Sequence, residues 1–110
     1  MNFREYQDLA EVTINKELNY EQRLAMIALG FGESGEAQNE IKKHLYHGHK
    51  LDLGVLSKEL GDMLWYIATM CNTFGIPLEV IAMDNIAKLK ERYPEGFSEE
   101  ASRNRKENNG

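Results

Sequence analysis

Four carboxylates, grouped as two pairs three residues apart, are the part of this chain best equipped for chemistry. Glu33 and Glu36 flank Ser34-Gly35, Glu59 and Asp62 flank Leu60-Gly61, and residues 37–58 separate the two phrases. On a helix, side chains three residues apart lie about 60° apart around the axis, on one face. Like charges so placed repel by roughly 0.2–0.5 kcal/mol, and each glycine costs roughly 1 kcal/mol relative to alanine. A chain that accepts both costs twice, in one arrangement, is expected to do so for a site. The donors are all oxygen, which suits Mg²⁺ or Mn²⁺ better than zinc. Glu40, one turn beyond Glu36, is a further candidate ligand. The plainer reading is two solvated acidic faces. Against it, a helical wheel sets Glu33 and Glu36 in line with Met26 and Leu29, and Glu59 beside Met63 and Met70. These directions point towards packing neighbours, where unneutralised carboxylates are costly.

A second polar group sits where hydrophobes are expected. Leu78, Ile81, Ala82, Ile86, Leu89 and Tyr93 define an apolar helix side, yet Asn85 and Arg92 fall within it and Lys88 at its margin. The plain account is snorkelling of Lys88 and Arg92, with Asn85 satisfying the backbone. Beside an acidic metal site, the same stripe suits phosphate oxygens held between cation and Lys/Arg. Other candidates are weaker. His44, His47 and His49 crowd a loop edge without a cysteine, and read as solvated. Cys71, flanked by Ile67, Met70 and Phe74, reads as a buried thiol, and Trp65 as a core or interface residue. There is no Glu-x-x-His pair for a di-iron bundle and no glycine-rich strand-to-helix phosphate turn.

The elements that must position these groups are all helical, because no segment alternates with period two between turn residues. Helices are expected from Phe3 to Leu18 (stripe Phe3, Tyr6, Leu9, Ala10, Thr13), from about Glu21 to His44, and from Asp52 or Ser57 to about Gly75. A fourth, with Pro77 in its first turn, runs to Tyr93-Pro94. Gly54, Gly61, Ala68 and Gly75 recur every seven residues of the third, a ridge open to close approach by another helix. With 110 residues, 42% of them hydrophobic, the chain reads as one domain over 1–97 and a polar, flexible tail over 98–110, with a limited core that association would help. Its net charge of −5 argues against nucleic-acid polymers and anionic membranes as partners. The N-terminus lacks the layout of a signal peptide and no apolar run is long enough to span a bilayer, so a cytoplasmic protein is expected.

The order GESGE, then KELGDMLWYIA, then NIAKLKERYPEGF resembles the MazG-like nucleotide pyrophosphohydrolases of the all-α NTP pyrophosphatase superfamily, over residues 20–97. Glu33, Glu36, Glu59 and Asp62 meet that family's Glu-x-x-Glu…Glu-x-x-Asp signature. The resemblance implies a four-helix bundle-type fold, assembly as a homodimer or dimer of dimers, Mg²⁺ dependence, and hydrolysis of a nucleoside triphosphate to monophosphate and pyrophosphate. The four acids would be the metal ligands, with Glu36 and Glu59 catalytic and Glu36 the preferred proton acceptor. Asn85, Lys88, Arg92 and, less directly, Lys58 would bind substrate, and the segment from Tyr93-Pro94 to Phe97 would close over it. The competing class is a non-catalytic acidic helical module that dimerises or binds nucleotide without turnover.

Overall fold

The computed structural model describes residues 1–33 and 35–104, without the side chain of Glu33. Among them are six helices and no named strand: α1 Phe3–Val12, α2 Tyr20–Glu33, α3 Glu36–Tyr46, α4 Leu53–Thr73, α5 Leu78–Arg92 and α6 Glu99–Arg103. The all-α class read from the sequence is observed, with more elements than the four expected.

Short polar side chains set most of the helix starts. Asn2 Oδ1 accepts from the Glu5 amide at 2.8 Å, Asp52 Oδ1 from Val55 at 3.1 Å and Ser98 Oγ from Ala101 at 3.1 Å. Asn19 and Gln22 cap α2 reciprocally, each side-chain oxygen accepting the other's backbone N–H at 2.9 and 3.0 Å, which satisfies two donors the helix leaves free. α1 ends at Val12 rather than Leu18, because the Thr13 hydroxyl and amide both turn back to the Ala10 carbonyl. The long second helix is two, α2 and α3, with Gly35 at the N-cap of α3. α4 closes with Gly75 at φ 67°; Ile76 N–H donates to Cys71 O and Gly75 N–H to Asn72 O, the Schellman pattern. Pro77 then caps α5 from outside the first turn, and α5 departs at 107° to α4. The segment read as a flexible tail carries α6 in its described part; residues 105–110 lie outside the described residues.

α4 is the central element: α1, α2 and α3 pack on it, and α5 packs mainly on α1. Ala10, Ala68, Cys71 and Leu78 form the core, with Tyr6, Trp65 and Ile67 against it. The buried faces are rotated from those the periodicity suggests. Leu9 of α1 is exposed, whereas Gln7 is buried. The Gln7 amide donates to Asn72 Oδ1 (2.8 Å) and the Ile76 carbonyl (3.0 Å), and its Oε1 accepts from Leu78 N–H (2.8 Å). On α2 the contact line is Arg23, Ile27 and Gly30 rather than Met26 and Leu29: Ile27 is fully buried and Leu29 is 69% exposed. Gly30 is the cause, because a Cβ there would collide with the Tyr66 ring. Of the small-residue ridge on α4, Ala68 is buried, and no described residue packs over Gly61.

Candidate active site

Two contacts fix the level at which the acidic phrases meet. Arg23 Nε donates to Thr73 Oγ1 at 2.9 Å, and Gly30 lies against Tyr66. Seven residues forward along α2 correspond to seven residues back along α4, so the helices are antiparallel. Three residues past Gly30 the same register brings the backbone of Glu33 level with Asp62 and Met63. Helix α3, which opens on Glu36, packs on α4 as well. A bidentate pair between Arg23 and Glu11 (Nη2 to Oε1, 2.7 Å) ties α1 into this arrangement. Hydrogen bonding to Arg23 holds the Glu11 carboxyl below its ordinary value, with Asn72 assisting and burial opposing.

The side chains themselves are open. Glu36 and Asp62 are exposed and Glu59 is half-buried. None of the three makes a hydrogen bond or ion pair among the described residues, whereas Glu40 pairs with Lys43 at 3.8 Å. The Glu33 carboxylate lies outside the described residues. Among those described, no three Asp, Glu, His or Cys side chains converge on one point. Three uncommitted carboxylates with no nitrogen or sulfur donor among them still fit a hard divalent cation. Burial, with a contribution from the Asp62 charge, raises the Tyr6 phenol above its ordinary value, so α1 lies within the field of the acidic face.

The cationic stripe is divided. Asn85 and Lys88 are exposed on α5, while Arg92 is buried, with Nε and Nη2 lacking a hydrogen-bond partner among the described residues. Because α5 packs chiefly on α1, one chain does not lay this stripe along the acidic face. The segment after α5 folds back on the helix end: Tyr93 and Phe97 rings lie 5.6 Å apart and Pro94 bridges to Gly96. It leaves Glu36 and Asp62 exposed. Lys58 is exposed beside Glu59. The histidines are exposed, His44 Nδ1–H donating to the His49 carbonyl at 2.9 Å. Cys71 is buried, and burial pushes its thiol up; Trp65 Nε1–H donates to Thr13 Oγ1 at 2.8 Å. Periodicity overlooks the Gly30–Tyr66 contact that sets the register; its one signal is a glycine inside the apolar stretch Ile27 to Phe31.

Comparison with known proteins bears on the same residues. The MazG nucleotide pyrophosphohydrolase domain family matches residues 21–97, which include both acidic phrases and the stripe on α5. The Gene 37 protein of Mycobacterium phage L5 is 31% identical over 87 residues, covering 74% of this chain and 76% of that protein. No solved structure matches.

Proposed function

We propose a reaction from one premise: this chain belongs to the MazG nucleotide pyrophosphohydrolase family. The reaction is hydrolysis of a nucleoside triphosphate at the α-phosphorus, giving the monophosphate and pyrophosphate. The observation that supports it is the antiparallel register of α2 and α4, which sets the backbone of Glu33 level with Asp62 and Met63, with the carboxylates of Glu36, Glu59 and Asp62 making no hydrogen bond or ion pair among the described residues.

Glu33, Glu36, Glu59 and Asp62 would hold Mg²⁺, or Mn²⁺ in its place. When bound, such a cation supplies Lewis-acid neutralisation of the phosphate charge and makes a water more acidic. Glu36 accepts the proton of the attacking water, with Glu59 the second catalytic carboxylate. The remaining barrier is electrostatic, since charge builds on the phosphate oxygens and the leaving pyrophosphate. Lys88 and Arg92 offset that charge, Asn85 bonds phosphate or sugar, and Lys58 adds a cation at the rim. Arg92 suits this role because two of its buried nitrogens have no hydrogen-bond partner among the described residues, a state a phosphate oxygen would relieve.

Two observations support assembly. The radius of gyration is 17.4 Å, against roughly 13 Å for a compact domain of this length. Leu29, Leu53, Leu60, Met83 and Ile86 are each more than half exposed. A homodimer or dimer of dimers would cover this surface and let α5 of one copy serve the acidic face of another. No described helix alone is long and apolar enough to cross a membrane; we place the reaction in the cytoplasm. The test is an Mg²⁺ titration with a panel of NTPs and dNTPs, following monophosphate and pyrophosphate. Both products should appear in equal amounts, and Glu59→Gln and Asp62→Asn should each lower kcat/KM at least about a hundredfold with the fold intact. Orthophosphate with nucleoside diphosphate in place of pyrophosphate, or nucleotide binding with no turnover, overturns the reading in favour of a phosphatase or a non-catalytic module.

A further inference from the structure

Between Glu40 and Asp52 the chain carries Lys42, Lys43 and Lys50, all of its histidines (His44, His47 and His49) and no acid. In a chain of net charge −5 this is a concentrated basic patch. It occupies the end of a helical hairpin, because α3 and α4 pack on each other and residues 47–52 join them. The turn is closed on itself. With Gly48 at φ 69°, the His47 and His49 amides both donate to the Lys43 carbonyl at 3.1 Å, and His44 Nδ1–H reaches the His49 carbonyl. The plain account is compensation of the α3 dipole, which favours cations in the last turn. That covers Lys43 and His44. His47, His49 and Lys50 lie past that turn, where the field has faded, and all three are exposed.

The two helices that meet at this end carry Glu36, Glu59 and Asp62. Glu36, Glu40 and Lys43, with His47 at the cap, follow at i, i+4, i+7 and i+11, the spacing of one helical stripe. The face that begins acidic therefore ends basic. Lys43 lies about 10 Å along α3 from Glu36, and the first residue of α4 about 9 Å from Glu59. An extended lysine and a pyrophosphate together span such an interval. In the other direction α4 has no Lys or Arg after Lys58. Lys88 and Arg92 belong to α5, which packs chiefly on α1.

We infer that the hairpin end is the subsite for the leaving pyrophosphate, with the β- and γ-phosphates directed along α3 towards Lys43, His47, His49 and Lys50. The assignment takes the place of the α-phosphorus from the pyrophosphohydrolase reading. As the water oxygen bonds to that phosphorus and its proton passes to Glu36, the bond to the bridging oxygen breaks and pyrophosphate departs with the electron pair. Negative charge then grows on the side where the hairpin supplies N–H donors. The monophosphate stays at the acids and makes no contact with the hairpin end.

Two double variants test this, Lys43→Ala with Lys50→Ala and His47→Gln with His49→Gln. A third, Lys16→Ala with Lys90→Ala, removes the same charge from exposed positions elsewhere. Calorimetry in Mg²⁺ measures the binding of pyrophosphate and, separately, of AMP, GMP, CMP and UMP, and turnover is followed on the triphosphates. Each hairpin variant should weaken pyrophosphate by roughly tenfold and lower kcat/KM to a similar degree. Monophosphate affinity in those variants, and every reading in the Lys16/Lys90 variant, should stay within about twofold of wild type. The subsite is overturned if wild type binds no pyrophosphate, if both hairpin variants bind it as wild type does, or if monophosphate affinity falls as far. It is overturned equally if the Lys16/Lys90 variant loses as much. An active wild type with insensitive hairpin variants defeats this inference alone. A wild type that binds pyrophosphate through the hairpin yet releases none from any triphosphate defeats the reaction alone.

Discussion

Single residues carry sharply different loads here. Gly30 is irreplaceable by even the smallest side chain without moving Tyr66, so Gly30→Ala should cost about 1–3 kcal/mol, as other overpacked sites do, read from urea unfolding. Cys71 is buried and its thiol raised, which keeps it protonated at neutral pH. Its alkylation by iodoacetamide at pH 8 should be far slower in the native protein than in urea. Glu11 shows the opposite shift: its folded-state value lies below the ordinary 4.5 because of Arg23. A depressed carboxyl stabilises the fold above its unfolded value and loses that contribution as pH falls through the folded one. Urea midpoints should therefore drop below about pH 4.5 more steeply in wild type than in Glu11→Gln.

At the scale of elements, caps and stops were the readable part of the chain. Asp52 before an apolar run and Gly75 with Pro77 after it act through immediate neighbours, which spacing alone reveals; the reciprocal cap of Asn19 and Gln22 on α2 was not among those readings. Replacing Asn19 with Ala should cost about 1 kcal/mol and lower the thermal midpoint, since it removes one half of a reciprocal cap. The acidic phrases were legible for the same reason, being local, repeated and locally unfavourable. The orientation of each buried face was not. Gln7 is interior only because its side-chain amide donates to Asn72 and Ile76 and accepts from the Leu78 N–H, all some seventy residues away, and Leu29 faces outward only because Gly30 admits Tyr66. Hydrophobic periodicity has no knowledge of a partner distant in sequence, so it set Leu9 and Leu29 inward. The break between α2 and α3 was hidden because the sequence on both sides favours helix.

For the molecule as a whole, Leu29, Leu53, Leu60, Met83 and Ile86 leave much apolar surface bare; under the proposed assembly, sedimentation should give a mass of at least two copies of the 12.6 kDa chain. Helix α1 makes a separate point. It precedes the stretch that matches the family, yet it supplies Ala10 to the core and is the main support of α5, with Gln7 clasping the corner that α5 turns from. Shortening the polypeptide to the matched stretch would therefore unmoor the arm bearing Lys88 and Arg92 while leaving all four acids in the chain. The portion shared with relatives and the portion able to stand alone are different lengths of the same protein.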